Sequence, residues 1–389
     1  MQESSHHGRI IREYREAKAG ITQEELAQKV GKSRRTIITL EQSACITDTK
    51  LRRTLAWVLQ IPPQLLGLTE TSMPETVVLN PLEPLPTANS KKLNHIVLDT
   101  LVENIRMRLD LYYLGGALGA DRNLNSHIDH LTQLAQKSGS SKDRYSLITL
   151  LSHNYQLKGM IARDQLDYAV AENCFEQSSL LAQEAGSTEL HALAIARLAL
   201  VTLWQDRAKE ATALYETARE ISKRSSPVLR TYLASAHAEA QGTIGDPNSL
   251  RSLDEARSLL KRVDPKDDYL LLFHSTRPSE QSINDGWLNC HTLLGRPLLA
   301  IENYDTLEKK LDLSMTRMRA RLYIQYAEAL YVNKDLSSCF YAIEGLKLAR
   351  SVGSRRLFQR ARELAVKLAS RFPNDLRVQE LFQAIQSYL

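Results

Sequence analysis

Cysteine is scarce and scattered. Cys45, Cys174, Cys290 and Cys339 stand alone along 389 positions, none at the short spacing of a zinc or redox motif. A chain this long needs no disulfide framework, so reduced thiols and a cytoplasmic home are the expectation. No run of about eighteen apolar residues occurs, so no segment is expected to span a membrane. The opening "MQESSHHGRI" lacks the apolar core of a secretory signal, and its His6–His7 pair reads as a frayed polar tail rather than a metal pair. The glycine-rich "LGGALGADR" (114–122) lacks the lysine and hydroxyl residue of a phosphate-binding loop. His127 and His130 share a helix face without further ligands, and Cys290–His291 is not a ligand spacing. No nucleophile or paired-acid constellation emerges. The expectation is therefore a non-enzyme with no catalytic residues, no metal and no cofactor. An excess of one charge sign is missing too. The formal charge is only +5, from 50 basic and 45 acidic residues, so any basic surface must be local.

Strand signals are nearly absent; "LVTLWQ" and "YLLLFHS" are the exceptions. The fold class expected is all-α. Lysine and arginine vanish between Thr54 and Ser90, while Pro74, Pro81, Pro84 and Pro86 crowd the same region. Proline removes a backbone donor and resists both helix and sheet. Three parts follow: a domain over 1–68, a proline-rich linker over 69–92, and a helical domain over 93–389.

In the first part, "GRIIREYREAKAG" puts Ile10, Tyr14 and Ala17 on one helical face beside Ile11, and Gly20 ends it. "TQEELAQKV" opens with Thr22 and has Glu25 three places on, a capping box. Leu26 and Val30 are its expected buried pair. Gly31 breaks the chain, and Ser33 is a natural N-cap for a helix that turns Ile37 and Leu40 inward. Its other side presents Arg34, Arg35, Ile38, Thr39 and Gln42. Only three residues separate the two helices, which forces a steep crossing. Lys32 to Arg53 holds six basic and two acidic residues, a local +4 that the whole-chain balance hides. A helix N-terminus with two guanidiniums suits phosphate or guanine contacts.

"ITQEELAQKVGKSRRTIITLEQ" resembles the phage-repressor (Xre-type) helix-turn-helix family, and residues 9–68 fit its five-helix domain. The resemblance implies a double-stranded DNA operator as partner. It implies that Gln23 opens the second helix and bonds a backbone phosphate. It implies that Ser33, Arg34, Arg35 and, one turn later, Thr39 reach base edges, with Lys32 and Thr36 alongside. It further implies a buried pair, Arg15 with Glu41. "REAKAGITQ" carries one residue more than the usual first turn, and "EQSACITD" lacks the usual glycine after the glutamate.

The third part repeats. Ala171, Phe175 and Ser178 recur as Ala211, Tyr215 and Ala218, as Ala300, Tyr304 and Leu307, and as Cys339, Ile343 and Leu346. Gly159 and Ala199 lie twelve places upstream of the first two sets. A small residue, then a large one four places on, then a third contact resembles the tetratricopeptide pattern at irregular spacing, over about residues 145–370. "RSLDEARSLLKRV" (251–263) fits it less well. The resemblance implies an α-solenoid whose concave face takes an extended partner. Gln156, Arg163, His237, Asn289, Glu328 and Tyr331 are the candidate effector contacts, with hydrogen bonding between helices as their competing role. The basic run Lys347, Arg350, Arg355, Arg356, Arg360, Arg362, Lys367 and Arg371 reads as a solvated outer face. Together the two modules resemble peptide-pheromone-responsive regulators of bacteria: a homodimeric transcription regulator sensing a peptide or protein effector. The alternative is a DNA-tethered adaptor that docks a protein and senses nothing small.

Overall fold

A computed structural model describes residues 6–44, 46–59, 61, 63–66, 95–115, 117–264, 278–302, 304–310 and 315–387. Among them every regular element is helical. "LVTLWQ" lies inside a helix, while "YLLLFHS" and the linker over 69–92 fall outside the described residues. The chain divides into two compact units, 1–89 and 90–389.

Among its described residues the first unit has four α-helices and a 3-10 turn: α1 (His7–Glu13), α2 (Gln23–Val30), α3 (Arg34–Gln42), α4 (Thr49–Val58) and Pro63–Leu66. Helix α2 starts where its capping box does. Glu25 N–H donates to Thr22 Oγ1 at 3.2 Å, and Thr22 N–H donates to the Glu25 carboxylate at 2.7 Å. Gly31 ends it with φ +67°, a left-handed turn that glycine adopts without a Cβ penalty. Ile11, Leu26, Ile37, Leu55 and Leu66 are fully buried, each side chain contributing about 1.5–3 kcal/mol. The inward face of α1 centres on Ile11, with Ile10 and Tyr14 only half-buried; on α2, Ala27 is buried and Val30 is half-buried.

The extra residue of the first turn has a definite place. After α1 the chain widens into a π-helical turn over Tyr14–Ala19, closed where Gly20 N–H donates to the Arg15 carbonyl five residues back. A π-turn takes up one inserted residue without breaking the helix. The N-terminal histidines are not a frayed tail. His6 caps α1, accepting from Arg9 N–H at 3.2 Å, and His7 is 4% exposed, its Nδ1 accepting from Ile46 N–H at 3.1 Å. Gly8 lets α1 slide under the end of α3: a Cβ there would lie 2.5 Å from the Glu41 carbonyl oxygen.

The second unit opens with α5 (His95–Asp110), a π-turn over Leu111–Gly115, α6 (Ala117–Asp121) and α7 (Leu124–Lys137). Helical hairpins follow: α8 (Ser141–Asp164) with α9 (Tyr168–Glu184), α10 (Thr188–Trp204) with α11 (Ala208–Ile221), and α12 (Pro227–Thr243) with α13 (Asn248–Leu260). Next come α14 (Glu280–Leu293), α15 (Pro297–Ile301) and α16 (Tyr304–Lys310). The unit ends with α17 (Thr316–Val332), α18 (Ser337–Ser351), α19 (Arg355–Arg371) and α20 (Leu376–Gln386).

Size complementarity builds each hairpin of this repeat-like stack. Ala171, Phe175 and Ser178 are fully buried, and a Cβ on Gly159 would meet the Phe175 ring at 2.7 Å. Ala211, Tyr215 and Ala218 do the same one hairpin on. The weaker segment obeys the same rule once it is read from Ser249: Ser249, Leu253 and Ala256 are all buried. In α18 Ala342, rather than Ile343, takes the fully buried position. The stack also closes on its own beginning. Arg317 of α17 donates to the Asp164 carboxylate at the end of α8 and to the Tyr112 carbonyl, and Ser354 Oγ donates to the other Asp164 oxygen at 2.7 Å.

Candidate nucleic-acid interface

The α2–α3 pair is held from behind by one buried carboxylate. Arg15 Nε donates to Glu41 Oε1 at 2.5 Å and Nη2 to Oε2 at 3.2 Å, with both side chains under a tenth exposed. Arg15 Nη1 also donates to the Ile21 carbonyl at 3.1 Å, and Nη2 to Glu16 at 2.9 Å. The hydrogen bond to Glu41 is the main reason the Arg15 pKa lies above its ordinary value. Gln23, the first residue of α2, donates to Glu41 Oε2 at 2.8 Å. One carboxylate thus joins the π-turn, α2 and α3, a satisfied network that fixes their relative orientation.

In front of this network lies the N-terminus of α3. Ser33 Oγ accepts from Thr36 N–H at 3.2 Å and sits 2.9 Å from Thr36 Oγ1. Lys32, Ser33, Arg34, Arg35 and Thr39 are exposed, and Thr36 is half-buried. Thr39 Oγ1 donates back to the Arg35 carbonyl at 3.0 Å. Arg34 and Arg35 have no acid partner among the described residues. Glu41 is withdrawn into the core. Asp48 caps α4, accepting from Leu51 N–H at 3.0 Å. Arg52 is partly spent inside the unit, donating to the Leu66 carbonyl at 2.8 Å. Among the side chains that are described, the basic face is built on Lys32, Arg34 and Arg35 at a helix end whose dipole also favours anions.

Gln23 is half-buried and committed through one amide hydrogen, leaving its second for another acceptor. Sequence reasoning puts His7 in a frayed tail and gives Gly8 no role. Their signal is faint: a short polar pair and a glycine directly before an amphipathic helix.

Residues 11–53 match the helix-turn-helix family. Helix-turn-helix domains bind DNA, and the first unit contains one. The matched span runs from within α1 into α4, enclosing the Arg15–Glu41–Gln23 network and the exposed start of α3. No curated protein matches the chain.

The second unit distributes its candidate residues differently. Gln156 is buried and donates to the Leu190 carbonyl at 3.3 Å, a bond between hairpins. Glu328 accepts two bonds from Arg360, at 2.8 and 2.5 Å. Tyr331 lends its carbonyl to Arg371 at 3.2 Å, and Asn289 is buried. His237 lines a groove of about 470 Å³ with Arg219, Arg230 and Glu255. Its Nδ1 accepts from Arg219 at 2.8 Å, and burial, followed by that guanidinium, lowers its pKa to about 4. Arg163 lies over the Trp204 ring at 4.8 Å.

The C-terminal basic run is not simply a solvated face. Arg356 turns onto Trp204 at 5.0 Å, and Arg360 onto Glu328. His127 is half-buried, and burial brings its pKa down to about 4. Burial also pushes the Cys290 thiol up to about 12, away from any thiolate chemistry. Among the described residues no cluster of His, Cys, Asp and Glu is placed to hold a metal ion, and no helix is long and apolar enough to cross a membrane.

Proposed function

We propose that the protein is a sequence-specific transcription regulator whose helix α3 enters the DNA major groove. The observation that carries this reading is the exposed, unpaired Arg34–Arg35 start of α3, fixed from behind by the buried Arg15–Glu41–Gln23 network. Arg34, Arg35 and Thr39 face the bases. Ser33 stands with them, while Lys32, Thr36 and the second amide hydrogen of Gln23 face phosphates. Two copies read two half-sites, so the active form is a homodimer. The 90–389 stack acts as a tetratricopeptide-like sensor of a peptide or protein, and its occupancy shifts the population of paired heads that can engage an operator. Selection of bound fragments from genomic DNA with the full-length protein tests the core of this. A shared motif with two-fold symmetry is the expected result. Recovery of fragments without a common motif, at an affinity set by salt alone, would overturn it.

A further inference from the structure

Where the stack meets its own beginning, one buried arginine and one half-buried arginine lack an acid partner among the described residues. Arg197 of α10 is 4% exposed. The contact its guanidinium makes among the described residues is to the Met160 sulfur, a weak acceptor, and its Nε has none. Arg163 of α8 likewise has an unpartnered Nε. Asp164, next in the chain, is already taken by Arg317 and Ser354. Arg163 and Arg197 stand among the same tyrosines, Tyr112, Tyr113 and Tyr232. Arg356 of α19 approaches Trp204 at 5.0 Å, its Nε also unpartnered, with only the half-exposed Glu363 near at 3.9 Å.

The neighbouring arginines are different. Arg317 has Asp164, Arg360 has Glu328, and Arg321 has Asp285 at 3.3 Å and Glu239 at 3.7 Å. Arg163 and Arg197 have no such carboxylate among the described residues, and Arg356 has only Glu363 at 3.9 Å. A buried guanidinium left without an acid opposes folding, and an apolar side chain would fill its place at less cost. The planar fork of arginine is made for carboxylate and phosphate oxygens.

We propose that Arg163 and Arg197, with Arg356 at the same Trp204 ring, form a binding site for an oxyanion, a carboxylate or phosphate group borne by the effector of the repeat unit. The site deepens the sensing role proposed above and rests on it for its biological meaning. Arg163 and Arg197 belong to the first two hairpins and Arg356 to α19, so a held anion ties the beginning of the stack to its end.

The test is titration of the full-length protein with inorganic phosphate and, separately, with citrate, at ionic strength held constant with chloride. Trp204 reports through its fluorescence, and thermal unfolding reports through Tm. One of the two anions should give a saturable response with a Kd of about 1 mM or tighter. A response to phosphate alone assigns a phosphate-bearing ligand, and one to citrate alone a carboxylate. Trp204→Phe should remove the fluorescence change but keep the Tm increase. Arg197→Met should raise the Tm of the free protein and weaken anion binding at least tenfold. Arg163→Gln should also weaken binding and serves if Arg197→Met does not fold. No saturable response to either anion, or a response that both arginine variants leave unchanged, overturns the site. Anion binding that leaves operator affinity unaltered upholds the site and removes the sensing role. An operator response to a neutral peptide without anion binding does the reverse.

Discussion

Arg317 and Asp164 meet at 2.5 Å across 153 residues of chain, with both side chains nearly buried. The same arginine reaches the Tyr112 and Val352 carbonyls and lies 4.4 Å from the Tyr112 ring, so one guanidinium gathers three separate parts of the second unit. Arg317→Ala leaves Asp164 buried with only the Ser354 hydroxyl. The expected cost is about 3–5 kcal/mol, read by urea unfolding of the full chain. A loss under about 1 kcal/mol would show the contact to be incidental.

The first unit offers a parallel test. Glu41→Ala strips Arg15 and Gln23 of their shared acceptor at once. The expectation is a loss of about 3–5 kcal/mol confined to the N-terminal unit, with DNA binding abolished and unfolding of the repeat unit unchanged. Amide exchange read separately for the two units decides it.

Arg35→Ala and Gln23→Ala should separate reading from positioning. The first is expected to relax base preference at one operator position, at a cost of about 1–3 kcal/mol. The second is expected to weaken every sequence alike. Gel-shift titration over a set of singly substituted operators distinguishes the two patterns. Equal loss on all sequences for Arg35→Ala would reassign it to the backbone.

His153 predicts a pH dependence. It is 4% exposed, and burial, followed by Arg197, lowers its pKa to about 3 from an ordinary 6.5. Between these values the unfolded chain holds a proton that the folded chain does not, so stability rises with pH there. The contribution is complete above about pH 6.5 and is lost as pH falls towards 3, at about 1.4 kcal/mol per pH unit at most. His153→Leu should flatten the stability profile between pH 6 and 4. An unchanged slope in the variant would exclude His153 as its source.

Gly159→Ala places a methyl 2.7 Å from the Phe175 ring. An overpacking cost of about 1–3 kcal/mol is expected, and Phe175→Leu should recover part of it. A double-mutant cycle with no coupling would show that the hairpin adjusts elsewhere.

How much of this was legible in the sequence depended on range. The limits of α2 and α3 follow from Thr22, Glu25, Gly31 and Ser33, whose effects act within a few residues. The stack announces itself through Ala171, Phe175 and their successors, because size complementarity repeats along the chain. Ser249 carries the small position of its segment two residues before Arg251, and a serine there does not mark the register as Ala171 or Ala211 does. The burial of His7 depends on Ile46, and the inward turn of Arg356 depends on Trp204. Such partners sit far along the chain, and no local period records them.

A helical repeat array with free ends behaves as a one-dimensional chain, where units can be gained, lost or melted one at a time. The Arg317–Asp164–Ser354 junction removes that freedom. Inserting or deleting a hairpin would carry Arg317 away from Asp164, so the number of repeats becomes a fixed property of this protein. The helices between Asp164 and Ser354 cannot melt one at a time, and that part of the unit should unfold as a single cooperative block.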